Sequence, residues 1–176
     1  MTLALGTRAP SFSLPGVDGA TRALDDYADV DALAVVWSCN HCPYVQAWED
    51  RMMAVQRDYG ARGFRLVAIN SNDAERYPAD SFEAMQRRAR ERGFNFDYLL
   101  DEDQSVARAY GPERTPEVFL FDSDRRLVYH GAIDDSYDEQ GVQVHYLRDA
   151  LDALLDGREP PVAETPPVGC SVKWRN

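Results

Sequence analysis

Val35-Val36-Trp37-Ser38-Cys39-Asn40-His41-Cys42-Pro43-Tyr44 is the stretch on which the reading of this chain turns. A β-branched apolar run stops at two cysteines, and an amphipathic helical pattern follows at once. Val45, Trp48, Met52, Val55 and Tyr59 recur at three- and four-residue steps until Gly60 ends the stripe. Proline lacks an N–H and clashes with a preceding helical turn, so Pro43 fits only a first turn. The helix is therefore expected to begin at about Asn40 to Cys42, with Cys39 at or just before its N-cap. Unpaired backbone N–H groups and the positive end of the dipole favour an anion there. A thiol so placed loses its proton more easily, and the thiolate is the nucleophile. Cys39 is expected to be the attacking sulfur and Cys42, a turn inside, the resolving one.

Length and charge narrow the classes. The 176 residues suffice for one sizeable core. Hydrophobic residues at 44% and charged residues at 28% are ordinary for a soluble globular protein. A net charge of -11 argues against non-specific binding to nucleic acid or anionic membranes. No basic and apolar leader opens Met1 to Pro10, and no apolar run approaches the ~20 residues of a membrane span. The expected address is the cytoplasm. Three cysteines make no structural disulfide framework, and a CxxC in a reducing compartment points to catalysis or metal binding.

Outward from the cysteines, Ala32 to Trp37 and Phe64 to Asn70 read as buried strands, and Asp97 to Leu100 as a short one. Ala9 to Leu24 reads as a small hairpin around Pro15-Gly16-Val17-Asp18-Gly19. Helices are expected over Ser81 to Gly93, Asp103 to Tyr110 and Val144 to Leu155. Glu117 to Phe121 and Arg126 to His130 form an antiparallel hairpin. Gly131 to Gly141 is an acidic loop, read as solvated. The pattern is an α/β sandwich around a mixed sheet. One domain is expected over residues 1–159, with a Pro-rich tail, 160–176, packed on it.

With Ala9 to Gly19, Cys39-Asn40-His41-Cys42, Tyr110-Gly111 and Thr115-Pro116 in view, the chain resembles the thioredoxin-fold redoxins of the AhpC/TSA type. It more closely resembles an uncharacterised bacterial subgroup with Cys-Asn-His-Cys-Pro and a Gly-Cys-x-x-Lys-Trp tail, matched by Gly169 to Trp174. The resemblance implies a thioredoxin-like three-layer sandwich with an N-terminal hairpin extension, and no cofactor. It implies thiol–disulfide exchange through Cys39 and Cys42 with a disulfide-containing protein, or with a small-molecule thiol or peroxide. The implied electron donor is of the thioredoxin or glutathione type. Pro116 is implied to be a cis-proline facing the thiols, exposing the backbone of Thr115 to a substrate that docks as an extra strand. Taken alone, the residues fit an ordinary trans proline at the start of an edge strand.

Several positions depart from the family pattern. Ser38 stands between Trp37 and Cys39, where thioredoxins put Trp directly before the first Cys. The buried acid of their preceding strand is missing from Ala32 to Trp37. Aligned on Cys42, the Pro and Thr of the peroxiredoxin signature fall on Val35 and Cys39, which disfavours a dedicated peroxidase.

Other groups carry paired readings. His41 between the thiols, as in DsbA-type motifs, either favours a Cys39 thiolate or is an exposed helix-start residue. Arg114 either adds positive charge near the sulfurs or is solvated. Cys170 is either a second resolving thiol or a small buried hydrophobe. Trp37 is an auxiliary candidate. Rival chemistries are a thiol-dependent peroxidase on the same cysteines and a zinc or copper site drawing on Cys39, Cys42, Cys170 and one of His41, His130 or His145.

Overall fold

The computed structural model describes the whole chain, Met1 to Asn176. In chain order the elements are a hairpin of β1 (Ser13–Pro15) and β2 (Thr21–Ala23), then β3 (Ala32–Trp37), α1 (Pro43–Tyr59), β4 (Phe64–Asn70) and α2 (Phe82–Arg92). There follow β5 (Asp97–Leu100), α3 (Ser105–Tyr110), β6 (Arg114–Thr115), β7 (Glu117–Phe121), β8 (Leu127–Gly131), α4 (Tyr146–Leu155) and β9 (Cys170–Ser171). The central sheet has the order β5-β4-β3-β7-β8. Strands β3, β4 and β5 are parallel, and β7 and β8 are antiparallel to their neighbours.

Successive side chains of a strand face opposite sides, and β3 divides the core accordingly. Ala32, Ala34 and Val36 meet Trp48, Met52 and Val55 of α1, Met85 of α2, and Leu147 and Leu151 of α4. Leu33, Val35 and Trp37 meet Leu14, Tyr27 and the Val106, Ala107 and Tyr110 of α3. Strand β3 is buried along its whole length because both faces are covered. The architecture is the α/β sandwich around a mixed sheet that the sequence pattern predicts, in the three layers that the family resemblance implies.

Two local expectations need correction. Helix α1 starts at Pro43, one residue past the expected Asn40 to Cys42, and its N-cap is Cys42 rather than a residue at or next to Cys39. The Asn40 N–H donates to Asp80 Oδ1 (2.7 Å), which holds that residue in the turn. The acidic loop after β8 is not wholly solvated. Asp134 is buried, accepts from Trp48 Nε1 (2.9 Å) and pairs with the buried Arg51 (3.0 Å).

The tail is held at two points. Thr165 N–H donates to the His130 carbonyl (3.0 Å), and its Oγ1 bonds the Tyr129 hydroxyl (2.7 Å). A Cβ at Gly131, where φ is +143°, would overlap Thr165, so only glycine admits the tail there. Further on, Lys173 N–H donates to Asn72 Oδ1 (2.8 Å), and Arg175 N–H to Gln104 Oε1 (2.9 Å). Between these anchors β9 pairs antiparallel with β6.

Candidate active site

The mouth of β3 delivers Ser38 to Cys42 into the start of α1. Cys42 therefore stands at the N-terminus of a 17-residue helix, with Pro43 in the first helical position. The N-cap position belongs to Cys42, not to Cys39 as the sequence reading expects, so the positive end of the dipole lies at Cys42, while the N–H groups of His41 and Cys42 are directed at the Cys39 sulfur. Cys42 is bonded to Cys170, 128 residues further along, with their Cα atoms 6.3 Å apart. In this structure Cys42 is paired with Cys170 rather than with Cys39, which keeps a free thiol. The pairing of β6 with β9 explains the choice, because it sets Cys170 directly opposite Thr115. Thr115 touches both neighbouring sulfurs. Its carbonyl oxygen is 3.6 Å from Cys42 Sγ and its Oγ1 is 3.7 Å from Cys39 Sγ. The Thr115–Pro116 peptide bond is cis. Of the two readings of Cys170, the structure has the bonded thiol, only half-buried.

Cys39 differs from expectation in charge as well as in place. It is 1% exposed and packs against Cys42, Val45 and Cys170. Burial pushes its thiol up to about 11, and the negative Asp80 adds to that rise. The Thr115 hydroxyl and the N–H groups of Cys42 and His41 pull the other way without prevailing. Desolvation outweighs hydrogen bonding here.

Asp80, in the turn before α2, is a buried acid beside Cys39 that β3 itself does not supply. It is fully buried and accepts from Asn40 N–H (2.7 Å), Asn70 Nδ2 (3.3 Å) and Asn72 Nδ2 (3.0 Å). Its Oδ2 is 2.5 Å from His41 Nδ1, at an angle too poor for a proper hydrogen bond. His41 also stacks on Tyr77 (5.8 Å, 3°) and is half-exposed. Neither Asp80 nor the Asn40–Tyr98 contact (2.8 Å) is visible in the local sequence. The nearest signal is the polar run Asn70-Ser71-Asn72-Asp73 at the end of a buried strand.

A second buried acid, Glu117, fixes the strand that faces the sulfurs. Its Oε1 accepts from the N–H groups of Glu113 and Arg114 (3.0 Å each), and its Oε2 meets His130 Nε2 at 2.8 Å. The auxiliary candidates part company. Trp37 is fully buried with its indole N–H on Ser71 Oγ (3.0 Å), packed against Tyr110 and Phe119 as core. Arg114 is exposed on β6. The rival Cys₃His metal set is not assembled in this structure: two of its thiols share a bond and His130 is held by Glu117. Only Cys39, His41 and Asp80 bring ligand atoms within 4.8 Å of one another, and Asp80 is already hydrogen-bonded three times. No helix is long and apolar enough to cross a membrane.

Comparison with known proteins adds three findings. Residues 5–130 match the AhpC/TSA family. Crystal structures of a hypothetical protein of Sinorhizobium meliloti and an uncharacterised conserved protein of Geobacillus kaustophilus superpose with TM-scores of 0.93 each. The first is 40% identical, covering 99% of this chain and 97% of its own. The second is 44% identical, covering 98% and 93%. The protein named thiol-disulfide oxidoreductase ResA of Geobacillus thermodenitrificans is 24% identical over 127 residues, which is 71% of this chain and 67% of that protein.

Proposed function

This chain belongs to the AhpC/TSA family, and from that premise we propose that it is a thiol–disulfide oxidoreductase working through Cys39, Cys42 and Cys170. One observation carries the reading. A sulfur at the mouth of a long helix is joined to a thiol on a paired strand, with a free thiol alongside. The name of the ResA relative supports the same activity.

In the reduced protein the positive end of the α1 dipole favours a Cys42 thiolate. That thiolate attacks a substrate disulfide, a Cys42–substrate bond forms, and the substrate's other sulfur leaves as a thiolate. Cys39, once it has lost its proton, attacks Cys42. The second substrate sulfur departs and takes up a proton, leaving a Cys39–Cys42 disulfide. The two cysteines thus exchange the roles expected from sequence: both are buried in the closed structure, but the Cys39 thiol is pushed up to about 11, whereas Cys42 caps α1 and adjoins the half-buried Cys170. Thr115 steadies both sulfurs. A disulfide-containing protein is the proposed substrate, and a dithiol of the thioredoxin type or glutathione returns the electrons. A cytoplasmic address belongs to the same proposal, since disulfides there are mostly transient and catalytic. Antioxidant peroxidase chemistry at Cys39 finds less support, because that thiol is pushed up to about 11 and a peroxide would meet it protonated.

Trapping tests the roles. With a small-molecule disulfide, Cys39→Ser/Cys170→Ser should accumulate a mixed disulfide on Cys42. Accumulation on Cys39 in Cys42→Ser/Cys170→Ser, with none on Cys42 in the first variant, would reverse the assignment.

A further inference from the structure

We infer that the edge of β6 is a docking site for an extended peptide of the pattern Gly-Cys-x-apolar, and that Gly169 to Val172 are its built-in occupant. The inference rests on the oxidoreductase reading and specifies its substrate. Four observations converge on the segment. Antiparallel pairing sets Cys170 opposite Thr115 and Ser171 opposite Arg114, and Val172 N–H extends the pairing to the Glu113 carbonyl (3.2 Å). Cys170 and Val172 share the inward face, as strand alternation requires, with Val172 buried and Ser171 exposed. The Cys170 sulfur is bonded to Cys42. A Cβ at Gly169 would overlap the Thr115 carbonyl oxygen, a backbone atom that cannot swing aside.

The docking edge does not depend on its occupant for shape. Glu117, fully buried, ties the N–H groups of Glu113 and Arg114 from behind. An incoming peptide would use the same main-chain hydrogen bonds for affinity and the inward-facing positions for choice, which is how strand addition works. Cys42 attacks the peptide's cysteine sulfur, the Cys42–peptide bond forms, and the peptide's former partner leaves as a thiolate. Cys39 then displaces the peptide thiolate, which takes up a proton. One disulfide is reduced and the Cys39–Cys42 dithiol is oxidised, to be restored by an added dithiol.

The test uses the full chain with Cys170→Ser, dithiothreitol as reductant, and mixed disulfides of glutathione with blocked peptides Gly-Cys-Ser-Val, Ala-Cys-Ser-Val and Gly-Cys-Ser-Asp. The first is expected to be reduced at least tenfold faster than either other. Equal rates for the three would overturn the inference while leaving the oxidoreductase reading in place. Failure of the folded protein to accelerate reduction of any of them, or of oxidised glutathione, would overturn both. In the otherwise unaltered chain, Gly169→Ala should lower the fraction of Cys42–Cys170 disulfide at a fixed glutathione potential. An unchanged fraction would count against the docking register.

Discussion

Asp80 Oδ2 lies 2.5 Å from His41 Nδ1, and both atoms stand beside the Cys39 sulfur, so a fully buried carboxylate faces the free thiol of the site. That carboxylate opposes ionisation of Cys39, second only to burial itself.

Asp80→Asn should therefore make Cys39 easier to ionise without returning it to an ordinary thiol, since desolvation remains. In the oxidised protein Cys39 is the sole free cysteine, so its alkylation can be followed alone. The rate in the parent protein should climb with pH through 10 without a plateau, and the variant's curve should be displaced to lower pH. Coincident curves would rule out the electrostatic role. The variant should also lose about 1–3 kcal/mol of stability, because an amide nitrogen replaces an acceptor among buried donors.

Cys39 also makes the fold sensitive to alkali. Its folded value, about 11, lies above its ordinary 9.0, so the thiol form is favoured by folding. The associated stability is complete below pH ~9 and is lost as pH rises toward ~11, amounting to about 3 kcal/mol at one pH unit per 1.36 kcal/mol. Urea unfolding at pH 8 and pH 10.5 should show a larger loss for the parent than for Cys39→Ser. Equal losses would mean that the thiol is not desolvated.

The Cys42–Cys170 bond closes a loop over a separation of 128 residues. Cys170→Ser is expected to lower stability by about 2–4 kcal/mol in oxidising buffer, chiefly through the unfolded chain. Parent and variant should converge when both are assayed with excess dithiothreitol. A gap that persists under reduction would assign the effect to packing of the tail.

Asp134 neutralises Arg51 and accepts from the Trp48 indole, all three being buried. Asp134→Ala would strand a buried guanidinium, at a cost of about 3–5 kcal/mol. The denaturation midpoint reports it, and a change below 1 kcal/mol would show that water takes over the role.

The elements that periodicity specifies were legible in the chain. The buried β3, the stripe on α1 and the β7–β8 hairpin are local patterns, each written in adjacent residues. What was not legible depends on partners far away in sequence. Asp80 reads as loop polarity until Asn40, forty residues earlier, is brought against it. Asp134 reads as part of a solvated acidic run because Arg51, 83 residues before it, gives no local sign of the pairing. The β6–β9 pairing joins two-residue strands, one of them in a tail without period, so neither propensity nor alternation could announce it. The placing of Cys39 at the N-cap followed from the same gap: Pro43 allowed several caps, and the hold of Asp80 on the Asn40 N–H could not be read locally.

Because the tail is pinned both before and after Cys170, breaking the sulfur bond leaves a bow with both feet planted. The freed cysteine stays close to where it began, at the high effective concentration that tethering confers. A visiting peptide therefore competes with a rival that never diffuses away. Weakly matched visitors are turned out by the protein itself.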